Sequence, residues 1–360
     1  MYIYFSETLL YICFALATST VLLHFIPTDR RPAIRLSSTA LFNLIMAITA
    51  LSFVPVARAT LYFTDEQLTF WIVLQDVLAD LEFGQAWLAI LFQCTLILFV
   101  MAFRDISKHL LLNGVVAALL LGVIIAYGWA SHAAGQSESF GFIAESLHLL
   151  VISVWLGTIM LAAWFSKGPV NLAAFTRWFS PLSIVCVVVV IVSGLTMMFY
   201  IVPDLVSAWG ISYGQSLLIK HLLFIPLLLF GLINGFLMRR KLRQNPDFDF
   251  RSWLRVESLF GLLIFIVTAF MGFQPPPHET EGAAIPIDTT ALFRLFHPDI
   301  LEFQPLSLAW SFPAILFALL GVSAAVTMVA TYRKNAPWVT GVIGLLIPVS
   351  GLLSIMFFIA

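Results

Sequence analysis

"AESLHLLVISVWLGTIM", residues Ala144 to Met160, is an apolar run that opens with a carboxylate and an imidazole three positions apart. Beyond Glu145 and His148 it holds nothing ionisable, and with its flanks it is long enough for a helix to cross roughly 30 Å of hydrocarbon at about 1.5 Å per residue. Within lipid an ionisable group costs roughly 2.5 to 3.5 kcal/mol on insertion scales, so the pair calls for a function. Three positions along a helix place both side chains on one face.

The rest of the chain makes lipid the right setting. Of its 360 residues 61% are hydrophobic and only 10% charged, and the mean hydropathy is +1.00. These values exclude an ordinary soluble domain. The first apolar run, Ile3 to Ile26, is longer than a signal-peptide core and lacks a basic start and a small-residue cleavage site, so it reads as a retained span. Cys13, Cys94 and Cys186 lie inside apolar runs without CxxC spacing and read as small buried hydrophobes, neither a disulfide framework nor a thiolate metal site. No basic stripe or motif for nucleic acid is present. Nor does the chain contain the GxxxxGK[ST] phosphate loop, so transport by it is passive or ion-coupled and the reading is not an enzyme.

Spans are expected at about 3–26, 36–57, 83–103, 110–130, 142–165, 178–202, 215–238, 256–273, 306–331 and 337–360. Ten spans put alternate loops on opposite sides. All eighteen Lys and Arg residues then fall on one side except Arg58, Lys220 and Arg294. By the positive-inside rule that side is the cytoplasm, and both termini lie outside. Most acidic residues collect on the outer side, which reads either as the charge left over by a basic cytoplasmic side or as a field that concentrates external cations.

Between the second and third spans, Thr64 to Gly84 carries Leu68, Trp71, Ile72, Leu74, Leu78 and Leu81 at helical spacing among five acids. This predicts an amphipathic helix on the outer surface. "QPPP" at Gln274 ends the eighth span, and a short helix is expected near "TTALFRLF" in the outer segment that follows. The fold class is therefore all-α: a polytopic membrane bundle of about ten transmembrane helices with one interfacial helix.

With this orientation His132, Glu145, His148, Met197, Met198, His221 and Met271 fall at one depth in the outer third of the membrane, drawn from five consecutive spans. Imidazole and thioether donors suit copper, and thioether selects the cuprous ion. A carboxylate one turn from a histidine either ligates or fixes the imidazole tautomer. His24, His109 and Met160 fall on the cytoplasmic side, outside this layer. Two rival readings are a haem b electron-transfer protein, with two axial ligands among His132, His148 and His221, and a scaffold for assembly or sensing.

Several stretches together resemble the bacterial copper resistance protein D family. They are "YGWASHAAG" with His132, "ESLHLLVISVWLG" with Glu145, His148, Trp155 and Gly157, and "RWFSPLSIVCVVVVIVSGL" with Arg177 and Gly194. "SYGQSLLIKHLLFIPLLLFGLIN" with Lys220 and Asn234, then "LRVESLFG" and "QPPPH" with Glu257 and His278, complete the ordered series from about Ala118 to Pro277. Glu145 stands where aspartate is expected, which keeps the charge and moves it out by one methylene. The resemblance implies copper uptake across the bacterial plasma membrane. It adds His278 to the metal candidates, and it makes the copper ion, as Cu+ or Cu2+, the cargo. An extracytoplasmic copper-binding protein is the implied partner beside the lipid bilayer. The implied organisation is 1–109 as N-terminal helices, 110–277 as the family core, 278–305 as an outer acidic loop and 306–360 as two additional spans.

Overall fold

The computed structural model describes residues 2–34, 37–136, 139–167, 172–244, 248, 251–280 and 288–359. Among the described residues the regular structure is helical apart from one two-stranded ribbon and isolated bridges. Ten helices among the described residues are long and apolar enough to cross a membrane. We label them α1 Tyr2–His24, α2 Ser38–Phe63, α3 Glu82–Phe103, α4 Leu110–Trp129, α5 Phe140–Trp164, α6 Leu172–Ile201, α7 Ser212–Leu232, α8 Arg251–Met271, α9 Phe312–Thr331 and α10 Pro337–Phe358. The chain forms two compact units, residues 1–200 and 201–360.

In the first unit α1 is the central helix and packs along α5, α2 and α4. Small residues make the α1–α5 approach close. A Cβ at Gly157 would stand 1.9 Å from the Ala15 carbonyl oxygen. Beside it the Ser19 hydroxyl donates to the Ser153 carbonyl at 2.9 Å, and Thr158 donates to Ser19 at 3.1 Å. The core between α1 and its neighbours is aliphatic and aromatic, with Leu10, Phe14, Ile45, Ile48, Cys94, Val116 and Ile124 buried. The three cysteines are free and buried, as their apolar settings predict. At the basic end, strand β1 (Ala33–Ile34) pairs antiparallel with β2 (Ser166–Lys167). There the Trp178 indole donates to the Arg30 carbonyl at 2.7 Å and fixes the start of α6.

In the second unit α7 packs on α8 and α10, and α9 packs along α10. The last two spans are integral to this unit. A Cβ at Gly351 would meet Leu222 of α7 at 2.6 Å, one at Gly344 would meet Phe260 of α8 at 3.0 Å, and Ser354 donates to the Ala314 carbonyl at 2.8 Å. The short helix expected near "TTALFRLF" is Ala291–Arg294. Thr290 caps it by accepting from the Phe293 amide, and donates its own hydroxyl to Gln215 at 3.0 Å. Phe293, fully buried, packs with Leu218 and Met356.

The structure corrects several boundaries. The second span bends at Phe53, before Pro55, and continues to Phe63, so Arg58 lies within the helix. The sixth begins at Leu172, the seventh at Ser212 and the eighth at Arg251. The ninth starts at Phe312, where Ser311 accepts from the Ala314 amide and Pro313 occupies the first turn. The interfacial segment is helical over Phe70–Asp80, and its buried positions are Val73 and Val77, packed with Val56, Leu74, Leu78 and Trp87. Trp71 and Ile72, expected to share that face, are 71% and 46% exposed.

Candidate functional site

The close α1–α5 packing brings two acidic residues together at one end of the first unit. Glu7 in α1 is only 5% exposed. The Tyr127 hydroxyl, from the last turn of α4, donates to Glu7 Oε1 and lies 3.5 Å from the Tyr11 hydroxyl. The Tyr11 and Tyr127 rings meet edge to face, with centroids 6.5 Å apart. Glu145, in the second turn of α5, lies within electrostatic reach of Glu7 and Tyr11. A glycine permits this: a Cβ at Gly128 would stand 2.3 Å from Ser146 Oγ, so α4 and α5 nearly touch beside Tyr127 and Glu145.

His148 lies one turn further into α5 and faces α6. Its Nδ1 is 2.9 Å from Ser193 Oγ. The Ser193 hydroxyl hydrogen is directed to the Val189 carbonyl at 2.6 Å, so the serine oxygen accepts from His148 Nδ1–H. This places the lone pair of the neutral ring on Nε2, the tautomer that ligates metal when the other nitrogen donates to an oxygen. The ring passes over Gly194, where a Cβ would stand 3.5 Å from Cε1. Met197 and Met198 follow Ser193 and Gly194 by four positions each, one turn along the same faces of α6, and both are half-buried. His132 opens the short helix His132–Gln136 that follows α4. Its side chain lies outside the described residues. That helix presses on the start of α5, since a Cβ at Gly141 would stand 1.8 Å from the Ala133 carbonyl oxygen.

The second unit holds the remaining candidates. His221 Nδ1 donates to the Leu217 carbonyl at 2.7 Å. His278 Nδ1 donates to the Ile201 carbonyl at 3.1 Å from the short helix Pro277–Thr280. Met271 is half-buried at the last position of α8. Among the described residues no three or more His, Cys, Asp or Glu side chains converge as they would around a metal ion. The structure thus groups Glu145 with Glu7, Tyr11 and Tyr127, and His148 with Ser193 and Gly194 of α6. His221, Met271 and His278 belong to the other unit.

Glu7, Tyr127 and Ser193 escape the sequence reading of the site. Glu7 carries a signal there: it is an acid inside an apolar run, the same anomaly that singles out Glu145. Ser193 carries none, because a serine in a membrane helix is ordinary until its partner is known. His24, at the other end of α1, has its Nδ1 3.2 Å from the Asn113 side-chain oxygen.

Residues 173–271 match the family model described as copper resistance protein D. The chain is also 33% identical over 165 residues to the copper transport protein CutJ of Bacillus subtilis (strain 168); the alignment covers 44% of this chain and 30% of that protein. The matched part is thus less than a third of that relative's length. No solved structure matches the chain.

Proposed function

We propose, from the copper resistance protein D segment that this multi-pass membrane chain carries, that it takes copper from the outer face of the bacterial plasma membrane and passes it inward. Both termini are assigned to the outside by the segregation of basic residues. The copper transport relative supports the cargo. The stretch 110–277 serves as the working core, flanked by N-terminal helices, an outer acidic loop and the last two spans.

The observation that carries the reading is the oriented imidazole of His148. Ser193 fixes Nδ1 as the donor, which leaves Nε2 to bind a metal ion. Met197 and Met198 supply soft sulfur on the neighbouring helix, the donor that favours the cuprous ion. Glu145 and Glu7 supply negative charge in a medium of low dielectric, where it offsets the cost of bringing in a cation. His132 in the first unit, and His221, Met271 and His278 in the second, are further proposed copper ligands, and a copper-binding protein outside the membrane is the proposed source of the ion.

Copper accumulation by cells producing the full chain tests this. Met197→Leu combined with Met198→Leu keeps the apolar volume and removes both sulfurs. The double variant is expected to lower cuprous accumulation at unchanged protein level, and equal accumulation by variant and wild type would remove the α6 sulfurs from the path.

A further inference from the structure

At the basic end of the first unit the structure holds a cavity of about 310 Å³. Its lining includes His24 at the end of α1, Thr28 and Arg31 in the loop that follows, Ala33 of β1, and Ser107 in the turn Ile106–Lys108. α1 ends at His24 and α4 starts at Leu110, so the cavity lies where the helices leave the membrane. That is the depth of lipid phosphates.

Arg31 is half-buried, and burial disfavours its charged form. One N–H, from Nη1, donates to the Leu23 carbonyl at 2.6 Å. The neighbouring acids are taken by other cations: Asp29 pairs with Arg30 at 3.8 Å and Asp105 with Lys108 at 3.4 Å. Asp105 Oδ1 also accepts from the Ser107 hydroxyl at 2.7 Å. Among the described residues Arg31 therefore has no carboxylate partner, and most of its five N–H donors remain for an anion. The carbonyls that end α1 would repel one, but they are covered. Leu22 accepts from the Phe25 amide at 3.0 Å, and Leu23 from the Ile26 amide at 3.2 Å as well as from Arg31. His24 brings the opposite chemistry to the same lining. The Asn113 amide donates to the Val21 carbonyl at 3.1 Å, which leaves its oxygen to His24 Nδ1, 3.2 Å away. Nδ1 thus carries the hydrogen, and Nε2 is an acceptor.

We propose that this cavity binds the glycerol phosphate headgroup of an anionic phospholipid, with the phosphate on Arg31 and Thr28 and a headgroup hydroxyl donating to His24 Nε2. A guanidinium without a carboxylate calls for the phosphate, and an imidazole acceptor calls for the hydroxyl. Basic pockets between membrane helices on the cytoplasmic side take anionic headgroups in this way. The first turns of α4, which begins three residues after Ser107, carry an open apolar groove lined by Leu111, Gly114 and Ala118, a surface suited to an acyl chain. The proposal does not depend on copper binding, since lipid alone is the probe.

The test is thermal unfolding of the full chain in nanodiscs of phosphatidylcholine alone, or with an equal fraction of phosphatidylglycerol or phosphatidylserine. The two anionic lipids carry the same net charge, and phosphatidylglycerol alone has the glycerol hydroxyls. The wild type is expected to melt highest with phosphatidylglycerol. Arg31→Gln should lose that advantage, whereas Arg30→Gln, the same change of charge at an exposed residue paired with Asp29, should keep it. Ala33→Leu adds volume at the lining without changing charge; it too should lose the advantage, and it carries the test should Arg31→Gln fail to fold. Equal midpoints in the three lipids would overturn the site, as would a phosphatidylglycerol advantage that survives both Arg31→Gln and Ala33→Leu. Soluble glycerol phosphate that gives the same rise in phosphatidylcholine nanodiscs would assign the cavity to a free phosphate ester and overturn the lipid.

Discussion

His148 Nδ1 lies 2.9 Å from Ser193 Oγ, and this contact joins α5 to α6 where each helix carries its soft or nitrogen donors. Ser193→Ala removes the acceptor that fixes the tautomer while leaving the proposed ligand, His148, in place. Outer contacts of this kind are typically worth about 10–100-fold in metal affinity. A copper titration of the nanodisc-embedded variant is expected to show a loss in that range, with Ser193→Thr close to wild type. An unchanged affinity in Ser193→Ala would mean that the serine plays no part in orienting the ring.

Tyr127→Phe removes one of the two tyrosine hydroxyls that hydrogen-bond the buried Glu7 carboxyl, leaving Tyr11 as the other. Losing one hydrogen bond of a buried polar group costs about 0.5–1.5 kcal/mol. The thermal midpoint of the variant should fall, and Glu7→Gln in the Tyr127→Phe background should recover part of the loss because a buried amide needs less stabilisation than a buried carboxylate. A midpoint unmoved by Tyr127→Phe would show that the pair contributes nothing to the first unit.

Gly157→Ala places a methyl where only 1.9 Å separates the new Cβ from the Ala15 carbonyl oxygen. The obstacle is backbone, so α1 and α5 must part. Overpacking of this kind costs about 1–3 kcal/mol. The yield of folded protein and its midpoint should both drop. Gly114→Ala, where a Cβ meets nothing within 4 Å, is the expected neutral control.

Glu145→Gln keeps the shape of the side chain and removes its charge. With Glu7 close by, the two carboxylates favour a cation between α1 and α5 more than either does alone. Copper affinity should weaken in Glu145→Gln and weaken further in the double variant with Glu7→Gln. Isothermal titration of wild type and the two variants reads this directly, and an unchanged affinity in both would separate the acidic pair from the metal.

The ten helices were legible because each is an apolar run bounded by charges or prolines. Their ends were not. Arg58 reads as a stop, yet a long cationic side chain can extend toward water while its helix continues, and α2 runs on to Phe63. The interfacial helix was legible from its period, but Val73 and Val77 rather than Trp71 face inward, because aromatic residues are at home at the lipid boundary. Glu145 and His148 stood out by residue type and spacing. Their partners Glu7, Tyr127 and Ser193 depend on which helices touch, and contacts between residues as far apart as Glu7 and Tyr127 leave no local pattern. The π-helical turn Ile233–Met238 that extends α7 was likewise invisible, since "GLIN" reads as an ordinary continuation of that helix.

Copper content and affinity of the purified full chain, compared among wild type, His148→Ala and His24→Ala, bear most directly on the proposed copper site. His148→Ala should lose copper while His24→Ala retains it, because only the first imidazole is oriented by Ser193 on α6, the helix that carries the two proposed sulfur donors. Equal copper in all three proteins, or an equal loss in both variants, would contradict the assignment.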